Sequence, residues 1–315
     1  MKAAFYRFLV ALSQRIGLWV FRTGAWGIAS GYFLFFPGRV AVGVRFYRAL
    51  YPERGGMYRL WCTWKQFHSF THVFLDRFLL SGGQGIAYTH DGWEYLEEAV
   101  ASRTGGIILM SHVGNWEVAS RILQEREREN PRIKLLLYLG KKHKEQIERA
   151  QKESLVRSGV RIIAVEQDGG SPMDLVEGIN FLKAGGLASL TGDRRWRDDQ
   201  RSVAVRFLGH EAFLPETPFI FALLSGAPLF IFFVCRTGSQ TYHFQVLPPV
   251  VVRAKDRQSR GGAIRRAAQF YADRLEETVR EHPFEWFHFE PFIGSERYQS
   301  QHAGNDPQRD DLPTA

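Results

Sequence analysis

The stretch GIILMSHVGNWE, residues 106–117, opens with an apolar run and ends in a polar turn. The run GIILM at 106–110 is typical of a buried strand, and residues 116–129 have the pattern of a helix. His112 therefore comes just after the carboxyl end of a predicted strand, where ligands gather in open α/β sheets. We expect the functional site of the protein at this turn.

Downstream of this stretch, apolar runs of strand length alternate with helical patterns. The alternation indicates an α/β fold with a mostly parallel sheet flanked by helices. We assign residues 86–298 to this domain, and the polar residues 299–315 to a disordered tail. Further strands are predicted at 133–139, 160–165, 187–191, 203–209, 229–236 and 242–252, and further helices at 141–157, 172–184 and 258–281.

Residues 1–85 form a separate region, which we predict to be helical and membrane-associated. The segment 17–36 has the length of a membrane-spanning helix, but Arg22 interrupts it and arginines lie on both flanks. We expect an anchor that lies in, or dips into, the cytoplasmic leaflet. The alternative is a buried N-terminal helix of a soluble protein. Apolar residues recur at helical spacing from 57 to 80, which predicts one long helix there.

The composition favours a globular protein with acidic partners. Of the 315 residues, 45% are hydrophobic and 23% are charged, which argues against a disordered chain. The 41 Lys and Arg against 33 Asp and Glu give a net charge of +8, which attracts nucleic acid, anionic lipid or an acidic carrier protein. The two cysteines have no metal or disulfide spacing, and no P-loop or G-x-G-x-x-G motif occurs. We therefore predict neither a metal centre nor a cofactor.

His112 and Glu117 are the candidate catalytic pair. An imidazole with a pKa of about 6.5 can act as a base near neutrality, and a carboxylate bound to one ring nitrogen leaves the other free to take a proton. The spacing alone decides little because His143 and Glu148 share it, although on a helix those two side chains would point apart. At a strand-to-helix turn, with Gly114 allowing unusual backbone angles, His112 and Glu117 can converge. The alternative for His112 is a core histidine bonded to backbone.

The segment SHVGNWE at 111–117 resembles the H-x4-D/E motif of glycerolipid and lipid A acyltransferases. It is most similar to the late acyltransferases of lipid A biosynthesis, the lauroyl and myristoyl transferases, within the lysophospholipid acyltransferase-like superfamily. Three later blocks resemble that family in order and spacing, and the resemblance covers about residues 15–292. These blocks are LTGDRRW (190–196), FLGHEAFLPETPFIFALLSGAPLF (207–230) and EHPFEWFHFEPF (281–292).

This resemblance implies a glycerolipid acyltransferase-like αβα sandwich that works at the cytoplasmic face of a bacterial inner membrane. The reaction would move a fatty acyl chain from acyl carrier protein or acyl-CoA to a hydroxyl of a lipid or glycolipid, such as a lipid A precursor. His112 would deprotonate the hydroxyl and Glu117 would orient the ring, without a metal or cofactor. The residues expected to contact substrate are Gly114 and Asn115, through backbone N–H groups that bind the oxyanion, and Lys141, Asp193 and Arg194, around a donor or acceptor phosphate.

Two other classes of function remain open. A basic protein that binds membranes or nucleic acid without catalysis would explain the net charge of +8, but no zinc spacing or helix-turn-helix pattern appears and we expect no nucleic-acid partner. A serine-type lipid hydrolase could use Ser111 beside His112, but the chain contains no G-x-S-x-G motif.

Overall fold

The computed structural model of the protein describes residues 12, 15–81, 85–140, 161–165, 172–195 and 200–297. The predicted helix at 141–157, the candidate residue Lys141 and the predicted tail at 299–315 lie outside these residues. The described strands are β1 (Ala87–Asp91), β2 (Gly106–Met110), β3 (Leu135–Gly140), β4 (Arg161–Val165), β5 (Leu187–Thr191), β6 (Ser202–Phe207), β7 (His210–Pro215), β8 (Leu229–Gly238), β9 (Thr241–Val246) and β10 (Ile293–Arg297). The described helices are α1 (Leu18–Phe35), α2 (Pro37–Leu50), α3 (Gly56–Ser69), α4 (Thr71–Ser81), α5 (Trp93–Ala101), α6 (Trp116–Glu129), α7 (Pro172–Lys183), α8 (Thr217–Ser225) and α9 (Arg260–Glu281).

Seven of the described strands form one sheet, in the order β1-β9-β8-β2-β5-β3-β4. The five strands from β8 to β4 are parallel to one another. Strand β9 runs antiparallel to β8, and β1 is parallel to β9, so these two strands point the other way. The prediction of a mostly parallel sheet flanked by helices is confirmed.

Both faces of this sheet are buried because successive side chains of a strand point to opposite sides. In β2, Ile107 and Leu109 join one core cluster, which also takes apolar residues of α7, α8 and α9. Ile108 joins the other cluster, with apolar residues of α5 and α6. Strands buried on both faces read as continuous apolar runs, which is why GIILM stands out in the sequence.

A smaller antiparallel sheet, in the order β10-β7-β6, packs beside α9. Gln269 of α9 bonds both backbone groups of Arg206 at the free edge of β6. Its side-chain oxygen accepts from the Arg206 N–H at 2.8 Å, and its amide donates to the Arg206 carbonyl at 2.9 Å. The prediction at this point was a single strand at 203–209, and the chain instead forms the hairpin β6–β7 across Leu208 and Gly209.

The described part of the N-terminal region consists mainly of helices α1–α4. The predicted helix at 57–80 is broken at Phe70 into α3 and α4. The hydroxyl of Thr71 donates to the His68 carbonyl at 2.6 Å, a local side-chain bond of the kind that competes with a continuing helix. Helices α1 and α2 meet at an angle of 90°. In the described part of the chain, no single helix has both the length and the apolarity of a membrane span. Helices α1 and α2 have this length and apolarity only when the two are taken together across the bend.

Candidate active site

His112 and Asp193 meet because two neighbouring parallel strands end side by side. Strands β2 and β5 are paired in parallel, with Met110 opposite Thr191 at their carboxyl ends. Each of the two polar residues follows its strand by two positions, so both side chains arise from the same edge of the sheet. The expected site at the carboxyl end of β2 is therefore formed by two turns and not by one.

The carboxylate of Asp193 is bound by three N–H groups. One oxygen accepts from Nδ1 of His112 at 2.8 Å, and the other accepts from the His112 backbone N–H at 2.7 Å and from the indole Nε1 of Trp286 at 2.9 Å. Asp193 is 1% exposed and Trp286 is 2% exposed, so the carboxylate and the indole are both shielded from water. This arrangement holds the His112 ring and its backbone in a single geometry.

The charges at this pair leave one nitrogen of His112 free to act as a base. Burial would raise the pKa of Asp193, but the His112 ring with its hydrogen bonds, together with His288, outweighs burial and holds the pKa well below the ordinary value. An ionised carboxylate can only accept, so Nδ1 of His112 carries the hydrogen and Nε2 keeps its lone pair. The His112 side chain is 23% exposed, which leaves its ring accessible.

Glu117, the residue that the sequence predicts to orient the His112 ring, is held by an ion pair, while Nδ1 of the ring donates to Asp193. Glu117 pairs with Arg77 of α4, which donates from Nε to one carboxylate oxygen at 2.6 Å and from a second nitrogen to the other oxygen. The physical reason is that Glu117 lies in the first turn of α6, whose side chains there face α4, whereas the ring faces the end of β5. The ion pair joins α4 to the start of α6, directly after the His112 turn.

Gly114 is needed for its backbone conformation. Its φ is +68°, and a Cβ atom at this position would lie 1.6 Å from the carbonyl oxygen of Val234. The Gly114 N–H, which the sequence predicts as an oxyanion donor, already donates to the Glu285 carbonyl at 2.8 Å.

Asn115 caps helix α6. Its side-chain oxygen accepts from the Glu117 N–H at 3.1 Å, and its amide donates to the Tyr242 hydroxyl at 3.4 Å. The residue is 1% exposed. Within the described part of the chain its own backbone N–H has no hydrogen-bond acceptor, so it is the one of the two predicted donors that is still available.

Residues 285–287 form a strap that runs along the His112 turn. The Phe287 N–H donates to the His112 carbonyl at 2.9 Å, Val113 forms an antiparallel bridge with Trp286, and Glu285 accepts from Gly114. Gln66 of α3 donates to the Trp286 carbonyl at 2.6 Å and fixes the strap from the other side. The sequence did not single out Trp286 as a site residue. The aromatic run FEWFHF at 284–289 was the available signal.

His288 packs beside the His112 ring. Its ring stacks on Trp286 with centroids 5.1 Å apart and meets the His112 ring edge to face at 5.9 Å. Burial is the main cause that lowers the pKa of His288 to about 4. Asp193 opposes this shift, and His112 and Arg194 add to it. His288 is therefore neutral at pH 7 and adds no second positive charge to the site.

Arg194, the neighbour of Asp193, forms an ion pair with Glu290 at 2.5 Å. The two side chains are 21% and 32% exposed, so this pair lies at the rim of the site. A cavity of about 220 Å³ begins at the same rim, and α2 closes its far side. Its lining is mostly apolar and consists of Gly38, Ala41, Val42, Arg45, Phe46, Trp286, His288, Glu290, Pro291, Phe292 and Ile293.

Ser111, the nucleophile of a serine hydrolase in the alternative considered above, is buried at 8% exposure. Its Oγ accepts from the Val113 N–H at 3.2 Å, and the His112 ring bonds to Asp193. No contact in the described residues therefore favours Ser111 as a nucleophile.

A comparison with protein families places the chain beside known enzymes. The family model described as bacterial lipid A biosynthesis acyltransferase matches residues 85–292, about two thirds of the chain. The matched residues include His112, Asp193 and the strap at 285–287, and leave out α1–α4. Among curated proteins none matches the chain.

Proposed function

Because the chain belongs to the bacterial lipid A biosynthesis acyltransferase family, we propose that it transfers an acyl group from a thioester to a hydroxyl of a lipid A-type acceptor, with His112 as the general base. The observation that supports this mechanism is the bond between Nδ1 of His112 and the buried carboxylate of Asp193. It leaves Nε2 ready to accept a proton, and the proposal replaces Glu117 with Asp193 as the orienting carboxylate.

The reaction follows from this geometry. Nε2 of His112 takes the proton of the acceptor hydroxyl as its oxygen attacks the thioester carbonyl. A C–O bond forms, and the tetrahedral intermediate collapses with cleavage of the C–S bond. The thiolate that leaves takes the proton back from the imidazolium. Asp193 stabilises the imidazolium between these steps, since three N–H groups keep its carboxylate ionised.

The remaining contacts of the substrate are assigned to groups around the ring. The backbone N–H of Asn115, at the start of α6, is a suitable oxyanion donor because the helix dipole adds a partial positive charge there. The apolar cavity between α2 and residues 286–293 suits part of the acyl chain. Arg194 at its rim, and Lys141, remain candidates for a phosphate of the donor or acceptor.

The N-terminal helices support association with a membrane surface. Helix α1 packs one side, including Phe21, against α4, and exposes Trp19 and Trp26 at 63% and 54%. Phe35 at its end is 80% exposed. Tryptophan is favoured at membrane interfaces, and the net charge of +8 attracts anionic lipid. We place the enzyme on the cytoplasmic face of a bacterial inner membrane, where acyl carrier protein and acyl-CoA are both possible donors.

His112→Ala tests the mechanism directly. Purified enzyme is assayed with acyl carrier protein and CoA thioesters and a lipid A precursor in mixed micelles, and loss of the base is expected to lower kcat about 10²–10⁴-fold. His90→Ala is the matched control, because His90 lies exposed on β1 and is expected to keep full activity. Wild-type turnover in His112→Ala would refute the mechanism. A wild-type enzyme that acylates neither this precursor nor other lipid hydroxyls would refute the reaction.

A further inference from the structure

Three side chains with metal-binding atoms converge behind the His112 turn. The Sγ atom of Cys235, a ring nitrogen of His282 and a carboxylate oxygen of Glu285 all lie within 4.8 Å of one another. They come from β8, from the residue that caps the end of α9 and from the strap. We propose that Cys235, His282 and Glu285 form a binding site for a divalent transition-metal ion of the zinc class.

The donor atoms of this cluster are available for a ligand. Across the described ranges, no hydrogen bond engages the Cys235 thiol or the His282 ring. One Glu285 oxygen accepts from the Arg236 N–H at 2.7 Å, which leaves the other oxygen free of that bond. Cys235 is 5% exposed, whereas His282 and Glu285 are partly exposed, so an ion can enter from the side of the helix end.

The chemistry of the three donors selects the ion. Sulfur, imidazole nitrogen and carboxylate oxygen are the donors that zinc takes in proteins, and three protein ligands leave a fourth position for water. The ion binds the thiolate, so the thiol proton is released to solvent when the metal–sulfur bond forms.

No short motif marks this cluster. His282 and Glu285 lie three positions apart, but Cys235 belongs to a distant strand, and the sequence accordingly predicted no metal centre. The fold brings them together because β8 passes directly under the His112 turn, where a Cβ on Gly114 would be 3.6 Å from the Cα of Cys235.

The position of the cluster gives the ion a mechanical role. Glu285 belongs to the strap and accepts from the Gly114 N–H, so an ion held by Glu285 and Cys235 would tie the strap to β8. The strap in turn carries Trp286, which donates to Asp193. A bound ion would therefore stiffen the support of the His112–Asp193 pair without contacting the substrate.

Metal titration of the full chain tests the site. Chelator-treated protein is titrated with Zn²⁺ in equilibrium dialysis with elemental analysis, and with Co²⁺ by absorption spectroscopy. We expect one ion per chain and a sulfur-to-cobalt charge-transfer band. Cys235→Ser is expected to abolish the band and to weaken Zn²⁺ binding about 100-fold or more. Cys62→Ser is the matched control, since Cys62 is also buried and is expected to leave both unchanged.

Two further variants keep the test decisive if Cys235→Ser does not fold, as judged by far-ultraviolet circular dichroism. His282→Gln and Glu285→Gln should each weaken Zn²⁺ binding while the cobalt band loses intensity. Absence of stoichiometric Zn²⁺ binding by the wild type would overturn the proposal, as would binding that Cys235→Ser, His282→Gln and Glu285→Gln leave unaltered. Acyl transfer is assayed separately through His112, so failure of either proposal leaves the other intact.

Discussion

Two hydrogen-bonded pairs of side chains flank the turn at 111–116, and they differ in what holds them. The His112–Asp193 pair joins the ends of two core strands, and the Asp193 side chain has no exposed surface. The Arg77–Glu117 pair joins two helices, and its side chains are 18% and 11% exposed. Five positions separate His112 from Glu117, yet the partner of the ring lies 81 positions away.

The difference shows that strand register, and not motif spacing, selects the side chain that bonds to the His112 ring. The parallel pairing of β2 and β5 fixes the register of the two strands. His112 and Asp193 each lie two positions after the end of their strand, so the register also fixes where their side chains meet. Glu117 instead lies in the first turn of helix α6, and its partner is set by the neighbouring helix, which here is α4. We therefore expect Asp193 to affect the chemistry and Glu117 to affect the placement of the turn.

Asp193→Asn is expected to give the largest effect. An amide in place of the carboxylate can donate to Nδ1, which favours the wrong tautomer and leaves the imidazolium without its counter-charge. The corresponding change in a serine-protease triad lowers kcat about 10⁴-fold, and we expect a loss of that order in steady-state acyl transfer. A variant with more than a tenth of wild-type kcat would remove Asp193 from the mechanism.

Gly114→Ala tests the turn that separates the two pairs. The added Cβ would collide with the Val234 carbonyl oxygen at a positive φ, so the free energy of unfolding should fall by roughly 3 kcal/mol or more. Gly209→Ala is the control, because Gly209 has a similar φ of +77° but no atom within 4 Å of a Cβ, and it should cost about 1 kcal/mol. The free energies come from denaturant titration, and equal losses would contradict the packing described for Gly114.

Glu117→Gln should have a smaller effect on catalysis than Asp193→Asn. Loss of the ion pair loosens α6 and displaces the ring, and a shift of about 1 Å can cost about 10²-fold in rate. We expect kcat to fall roughly 10-fold to 100-fold, and the pH profile of kcat/KM to keep its shape because the base is intact. A double-mutant cycle with Arg77→Met should give a coupling free energy of about 1–3 kcal/mol. A larger loss in kcat than for Asp193→Asn would reverse the comparison.

His288→Asn should remove part of the pH dependence of stability. The pKa of His288 is about 4 in the folded protein, below the ordinary value of 6.5. Between pH 6.5 and 4 the unfolded chain therefore binds a proton that the folded protein does not, and stability falls as the pH is lowered. We expect about 2 kcal/mol of this loss, allowing for the partial exposure of the ring, to disappear in the variant. The free energy of unfolding is measured by denaturant titration at pH 6.5 and 4.5. An equal fall between these pH values in the wild type and in His288→Asn would contradict the prediction.

The sheet was the most predictable part of the fold. The strands at 106–110 and 187–191 and the helix at 116–129 have the bounds that the sequence predicts, because central strands and amphipathic helices carry strong apolar patterns. Strands β1, β7 and β10 were not predicted. They lie at edges or in the small sheet, where β1 leaves most of its side chains exposed and its apolar pattern is faint. The predicted strand at 242–252 ends at Val246, just before two prolines.

The candidate site was predictable only in part. The place of His112 after a buried strand predicts its role, whereas the sequence predicts Asp193 only as a substrate contact. The pairing of Asp193 with the ring depends on which strands are neighbours, and no local pattern records that β5 lies beside β2. Trp286 is more distant still, since its indole reaches Asp193 only after the chain has returned past α9.

The strap at 285–287 also joins parts of the chain that are synthesised at very different times. Trp286 reaches its carboxylate across 93 positions, and Gln66 reaches the Trp286 carbonyl across 220. A nascent chain that has emerged only as far as α9 already contains His112 and Asp193, yet the carboxylate lacks its indole partner and the turn lacks two of its backbone bonds. Contacts of such long range slow folding because closing a long loop costs entropy. The His112–Asp193 pair therefore gains its full set of contacts only after both α3, which carries Gln66, and the strap have been made.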